Sequence, residues 1–176
     1  MKRVLMGMAA LLVAAAGAWA ADLGTLIDRA GLQPLQHGTK IVNFALNDLS
    51  GHSVRLSSFA GKVVVLNFWA TWCGPCRSEM PSLETLYNKY KAQGLVVVGV
   101  NLEESSGAVR QFVKHDGITF PILLDSSGRV ALAYGARSIP VTYVIDRAGD
   151  VTSGGIGAHN WLSPATETLL KALLSQ

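Results

Sequence analysis

The sequence predicts an α/β chain built on a mixed central sheet with helices on both faces. Two runs, "KVVVLNFWA" (Lys62 to Ala70) and "LVVVGVN" (Leu95 to Asn101), are almost continuously β-branched and apolar, as in strands buried on both sides. Between them Met80, Leu83, Leu86, Tyr87 and Tyr90 recur at helical spacing, so strand, helix and strand make a parallel crossover. A later pair of strands, "SIPVTYVID" and "VTSGGIG", meets across the turn Arg147-Ala148-Gly149-Asp150 and makes the sheet mixed.

Taken in order, residues 1–20 read as a secretory leader: Lys2 and Arg3, an apolar run from Val4 to about Ala16, then Ala18-Trp19-Ala20 with cleavage after Ala20. The other reading is an uncleaved anchor, because Val4 to Ala21 is nearly long enough to span a bilayer. Residues 21–40 form a lead-in with a short helix at Leu23 to Ala30 stopped by Gly31, and residues 41–176 form the domain. "NFALNDLSGHSVRLSSF" is a hairpin turning at Leu49-Ser50-Gly51-His52. The long helix runs from Pro75 to about Gln93 and ends at Gly94; a second helix covers Ser105 to Asp116. "TFPILLD" and a short helix at Val130 to Tyr134 follow. Ser163-Pro164 caps and starts the last helix, whose stripe is Leu169, Leu170, Leu173 and Leu174.

The 176 residues suffice for one packed domain. Loss of the leader lowers the formal charge from +3 to +1, which gives no case for nucleic acid or an anionic surface. An exported chain of this kind is expected in the periplasm, where disulfides persist.

Only two cysteines occur, Cys73 and Cys76, in "FWATWCGPCRSEMP". They can be a redox couple, half of a metal site or a staple. A bridge closing so short a loop restrains the unfolded chain very little, which weakens the staple. A zinc site needs four ligands, and His37, His52, His115 and His159 are scattered singly, as solvated or hydrogen-bonded surface residues; no metal is expected. A two-thiolate Cu(I) site stays open as a minor reading. At a helix start the macrodipole favours the Cys73 thiolate, Gly74 keeps its sulfur approachable, and Pro75 supplies the φ of a first helical turn. Cys76, less exposed, is close enough to bridge with it, so an exposed thiolate can attack a disulfide and the second thiol resolve the product.

The segments "FWATWCGPC" and "SIPVTYVID", with Pro81 between them, resemble the thioredoxin fold over roughly Asn43 to Gln176. More narrowly, "WCGPCRSEMP", the preceding hairpin and an αβ insert between Asn101 and Asp125 are similar to the exported TlpA/ResA group of thiol:disulfide oxidoreductases. The resemblance implies that Cys73 attacks, that Cys76 resolves, and that Pro140 is a cis-proline against which an extended substrate pairs. It also implies an active-site role for Glu79, which lies one turn beyond Cys76 and can exchange a proton with it if that face is buried. Trp72, Gly74, Pro75 and Ile139 would shape the substrate site. Asn67 stands where thioredoxins have a buried Asp, leaving Glu79 as the acid–base group. Glu103 and Glu104 read as exposed loop acids, Phe68 and Trp69 as core, and Tyr134, Tyr143 and Trp161 give no separate signal.

Gly74-Pro75 and the Ile139 before Pro140 are those of reducing members, on a scale running from about −270 mV for thioredoxin to about −120 mV for the oxidant DsbA. The expectation is a monomeric reductase of disulfides in exported proteins, without cofactor, recharged by a membrane thiol carrier of the CcdA/DsbD type. Apocytochrome c and copper-protein cysteines are substrates within the group. Its dedicated cytochrome-maturation branch carries an acidic residue after the cis-proline, whereas Val141-Thr142 stand here; "IVNF" likewise lacks the usual proline before Phe44. Disulfide oxidase or isomerase activity is the alternative direction. A thiol peroxidase is the alternative class, and "LNFWATWC" has Thr71 but lacks the proline of the peroxidatic P-x-x-x-T-x-x-C pattern.

Overall fold

The computed structural model describes residues 22–36, 38–39 and 41–176; the leader and His37 lie outside them. In chain order the elements are α1 (22–29), β1 (Gln33–Pro34), β2 (Ala45–Asp48), β3 (Ser53–Arg55), β4 (Val63–Trp69), α2 (Gly74–Tyr90), β5 (Leu95–Leu102), α3 (Ser106–His115), β6 (Ile122–Asp125), α4 (Arg129–Ala133), β7 (Val141–Ile145), β8 (Val151–Ile156) and α5 (Pro164–Leu174). The strands form one sheet in the order β1-β8-β7-β4-β5-β6-β2-β3, with β4 parallel to β5 and antiparallel to β7. This is the thioredoxin fold, with β2–β3 as the expected hairpin and α3–β6 as the insert.

Strand parity sorts the core into two layers. Val63, Val65 and Trp69 of β4 face Met80, Leu83 and Leu86 of α2, Val109 of α3, and Leu169, Leu170 and Leu173 of α5. Val64, Leu66 and Phe68 face the other way, toward Leu56, Ala131 of α4 and Ala136. Asn67 shares the parity of Val65 and Trp69, so a polar side chain is delivered to the buried α2 side. Its register partner across the β4–β7 ladder is Thr142. Two polar residues thus sit side by side beneath α2, where the sequence runs are otherwise apolar.

Gly99 on β5 explains how Trp69 fits: a Cβ there would come within 3.0 Å of the indole nitrogen and 2.8 Å of Ile122 Cδ1. Helix α1 and β1 also join the domain, since Leu23, Ile27, Ala30 and Leu32 enter the first core layer and β1 pairs with β8. The helix and its stop at Gly31, φ +74°, follow the sequence reading, while no sequence period announces β1. Among the described residues no helix is long and apolar enough to cross a membrane.

Candidate active site

Strand β4 carries the chain to Trp69, and a tight turn, in which the Cys73 N–H meets the Ala70 carbonyl at 3.2 Å, brings it to the start of α2. Cys73 is the N-cap: its backbone is extended, and its Sγ accepts from the Cys76 N–H at 3.2 Å. Gly74 and Pro75 occupy the first turn, where the missing proline N–H costs nothing. Cys73 and Cys76 are joined by a disulfide with their Cα atoms 5.2 Å apart. Cys76 is fully buried and Cys73 only 5% exposed, less open than the sequence suggested. The cover comes from the segment before β7: the Ile139 carbonyl oxygen is 3.6 Å from Cys73 Sγ, and the Ile139–Pro140 peptide is cis.

A groove of about 790 Å³ opens beside the disulfide. Trp72, 70% exposed, stands at its rim with Gly74 and Pro75, and Ile139 lies along it. All four residues expected to shape a substrate site therefore line one depression together with Cys73.

One helical turn beyond Cys76 on α2, Glu79 is 2% exposed. Its Oε1 accepts from Asn67 Nδ2 at 2.7 Å; its Oε2 accepts from the His159 backbone N–H at 3.0 Å and from Trp161 Nε1 at 3.2 Å. Asn67 Nδ2 also donates to Thr142 Oγ1 at 2.8 Å, while Asn67 Oδ1 is buried with no protein partner. Desolvation raises the Glu79 pKa above the ordinary Glu value, and the three hydrogen bonds hold the rise back. A carboxyl poised in this way can take a proton from a neighbouring thiol and return it.

The profile of the AhpC/TSA family matches residues 37–153. The chain belongs to the AhpC/TSA family. The curated relatives of this AhpC/TSA chain include thiol-disulfide oxidoreductase ResA of Geobacillus kaustophilus, 45% identical over 114 residues, which are 65% of this chain and just under two thirds, 66%, of that protein. ResA of Bacillus subtilis is 41% identical over 122 residues, 69% of this chain and 68% of that one. Among solved structures, a Chlorobium tepidum chain provisionally named thiol:disulfide interchange protein DsbE superposes with a TM-score of 0.73 at 37% identity, covering 80% of this chain and 99% of its own. StoA from Bacillus subtilis gives 0.61 at 27% identity, over 74% of this chain and 96% of that one.

Within this AhpC/TSA domain three environments differ from the sequence reading. Glu104 is not a free loop acid: its carboxylate accepts from the Thr71 N–H at 2.7 Å, from Asn101 Nδ2 at 2.7 Å and from the Thr71 hydroxyl, fixing the turn before Cys73. Trp161, without a signal of its own, is fully buried and bonds Glu79. His159 is half-buried; its ring packs edge-on to Trp161 at 4.7 Å and its Nε2 lies 2.8 Å from Thr166 Oγ1, and burial lowers its pKa. Strand parity could have found Asn67 and Thr142 on the α2 side; nothing local marks His159 and Trp161, which arrive from 80 residues downstream of Glu79.

Proposed function

We propose that this protein is an exported thiol:disulfide oxidoreductase that reduces disulfides in extracytoplasmic polypeptides. The observation that carries the reading is the Cys73–Cys76 disulfide at the start of α2, packed against the cis Ile139–Pro140 segment, with buried Glu79 one helical turn beyond Cys76. In the reduced protein, the Cys73 thiolate attacks a client disulfide, a Cys73–client bond forms, and the first client sulfur leaves as thiolate. Glu79 takes the Cys76 proton, Cys76 attacks Cys73 Sγ, and the second client sulfur leaves. The client gains two electrons and the protein returns to the disulfide form.

In this reading Pro140 and Ile139 offer backbone to an extended client while Trp72, Gly74 and Pro75 form the rim of its site. The names of the ResA relatives and of the interchange proteins agree with thiol exchange. Periplasmic placement follows from the leader pattern, and a membrane thiol carrier of the CcdA/DsbD type would restore the dithiol; clients can include apocytochrome c or copper-protein cysteines. Peroxide chemistry is less well supported, because the Thr71 hydroxyl that would polarise a peroxide is engaged by Glu104.

The test is a Cys76→Ser variant in cells that export it. Cys73 should accumulate in mixed disulfides with exported proteins, and purified wild type, equilibrated with dithiothreitol or glutathione, should show a two-electron couple near about −270 mV. No trapped client, together with a potential near that of the strong oxidants, would reverse the direction assigned here.

A further inference from the structure

Among the residues lining the groove beside Cys73, only Glu103 and Arg137 are charged. Both are exposed, and neither side chain makes a hydrogen bond or ion pair with another described residue, so they do not pair with each other. The rest of the lining is mostly apolar, including Leu102, Ala131, Leu132, Ala136 and Ile139, with Ser127 and Ser138 as its uncharged polar members and Leu132 66% exposed.

The backbone under each charge is fixed. Glu103 follows β5 and holds φ at +54°, a left-handed conformation uncommon outside glycine. Its N–H donates to the Asp125 carbonyl at 3.1 Å, and its carboxylate lies over Gly128, where a Cβ would meet Oε1 at 2.5 Å. Buried Asp125 also fixes α4, its Oδ2 accepting from the Ala131 N–H at 2.8 Å. On the other side, the Arg137 N–H donates to the Gly135 carbonyl at 2.9 Å, two residues before Ile139. A separated carboxylate and guanidinium, held on anchored backbone around an apolar strip, are complementary to a ligand with an apolar side chain and charges of both signs.

We propose that Glu103 and Arg137 are specificity-determining residues that choose client polypeptides by charge. A basic client residue is drawn to Glu103, an acidic one to Arg137, and an apolar neighbour of the client cysteine rests on Leu132. The proposal rests on the thiol-exchange reading above.

The experiment uses the reduced protein, residues 21–176, and synthetic disulfide-linked peptides that share one apolar residue beside the cysteine and carry a lysine, a glutamate, both or neither. Rates of oxidation of the protein are followed by tryptophan fluorescence. Rim charges act mainly on the association rate, so Glu103→Lys should lower the ratio of lysine-peptide to glutamate-peptide rates, by about threefold or more. Arg137→Glu should raise the same ratio, Glu103→Gln should lower it by less than Glu103→Lys, and 0.5 M salt should flatten all three shifts, as screening requires. A ratio that stays put in both reversal variants, or moves the same way in both, overturns the charge-selection proposal while leaving thiol exchange intact. Absence of exchange with every peptide and with a small neutral disulfide would remove the thiol-exchange reading itself, and this proposal with it.

Discussion

Burial raises the affinity of Glu79 for a proton, while Asn67, His159 and Trp161 each stabilise the carboxylate with a hydrogen bond. The balance still lies above the ordinary value of 4.5, so the folded state binds this proton more tightly than the unfolded chain does. Its contribution to stability is therefore fully present below pH 4.5 and is lost as pH rises through the folded pKa. Urea denaturation across that window should show stability falling with pH in wild type and a flatter profile in Glu79→Gln; an unchanged slope would mean that the carboxyl titrates as if exposed. Asn67 bears on the same proton. When Glu79 is protonated its O–H needs an acceptor, and turning the Asn67 amide presents the otherwise unpartnered Oδ1. Glu79 was legible from its spacing to Cys76, since three residues in a helix return to the same face. Two of its hydrogen-bond donors were not, because Trp161 and His159 reach it only once β8 and the loop after it are in place.

At the scale of elements, buried strands and capped helices were readable because each announces itself within a few residues: β4 and β5 by unbroken apolar runs, α5 by Ser163-Pro164. Strand β1 was not readable, because two residues, Gln33 and Pro34, carry no period and acquire their pairing only from β8. The ties between elements were equally hidden. Arg147, taken from sequence as part of a turn, donates to the carbonyls of Gly61 at 2.9 Å, Gln93 at 2.9 Å and Leu174 at 3.0 Å. It thereby joins the approaches to β4 and β5 to the end of α5. Arg147→Met keeps an apolar stem but strands three carbonyls, and should lower unfolding free energy by about 2–4 kcal/mol in urea titrations. A loss below about 0.5 kcal/mol would show that water replaces the guanidinium at all three positions.

For the whole molecule, the redox state and the fold are linked, because the Cys73–Cys76 disulfide closes the first turn of a helix packed into the core. If the protein works in the reducing direction proposed above, it must hold its disulfide form well relative to its dithiol form. Calorimetry should accordingly find the oxidised protein melting above the reduced one, by about 2–4 °C for each 1 kcal/mol of difference in a domain of this size. The opposite order would align it with proteins whose reduced form is the stabilised one.

The pairing of β1 with β8 also has a consequence in time. Of the described elements, α1 and β1 come first in the chain and β8 next to last, so a chain that emerges from its N-terminus presents them in that order. Until residues 151–156 emerge, Leu23, Ile27 and Leu32 have no sheet edge to cover, and β8 on arrival has an open edge that a strand from another chain could occupy. The first of the described segments is thus among the last to dock, and it is the one that covers the β8 edge at Ser153 and Gly154.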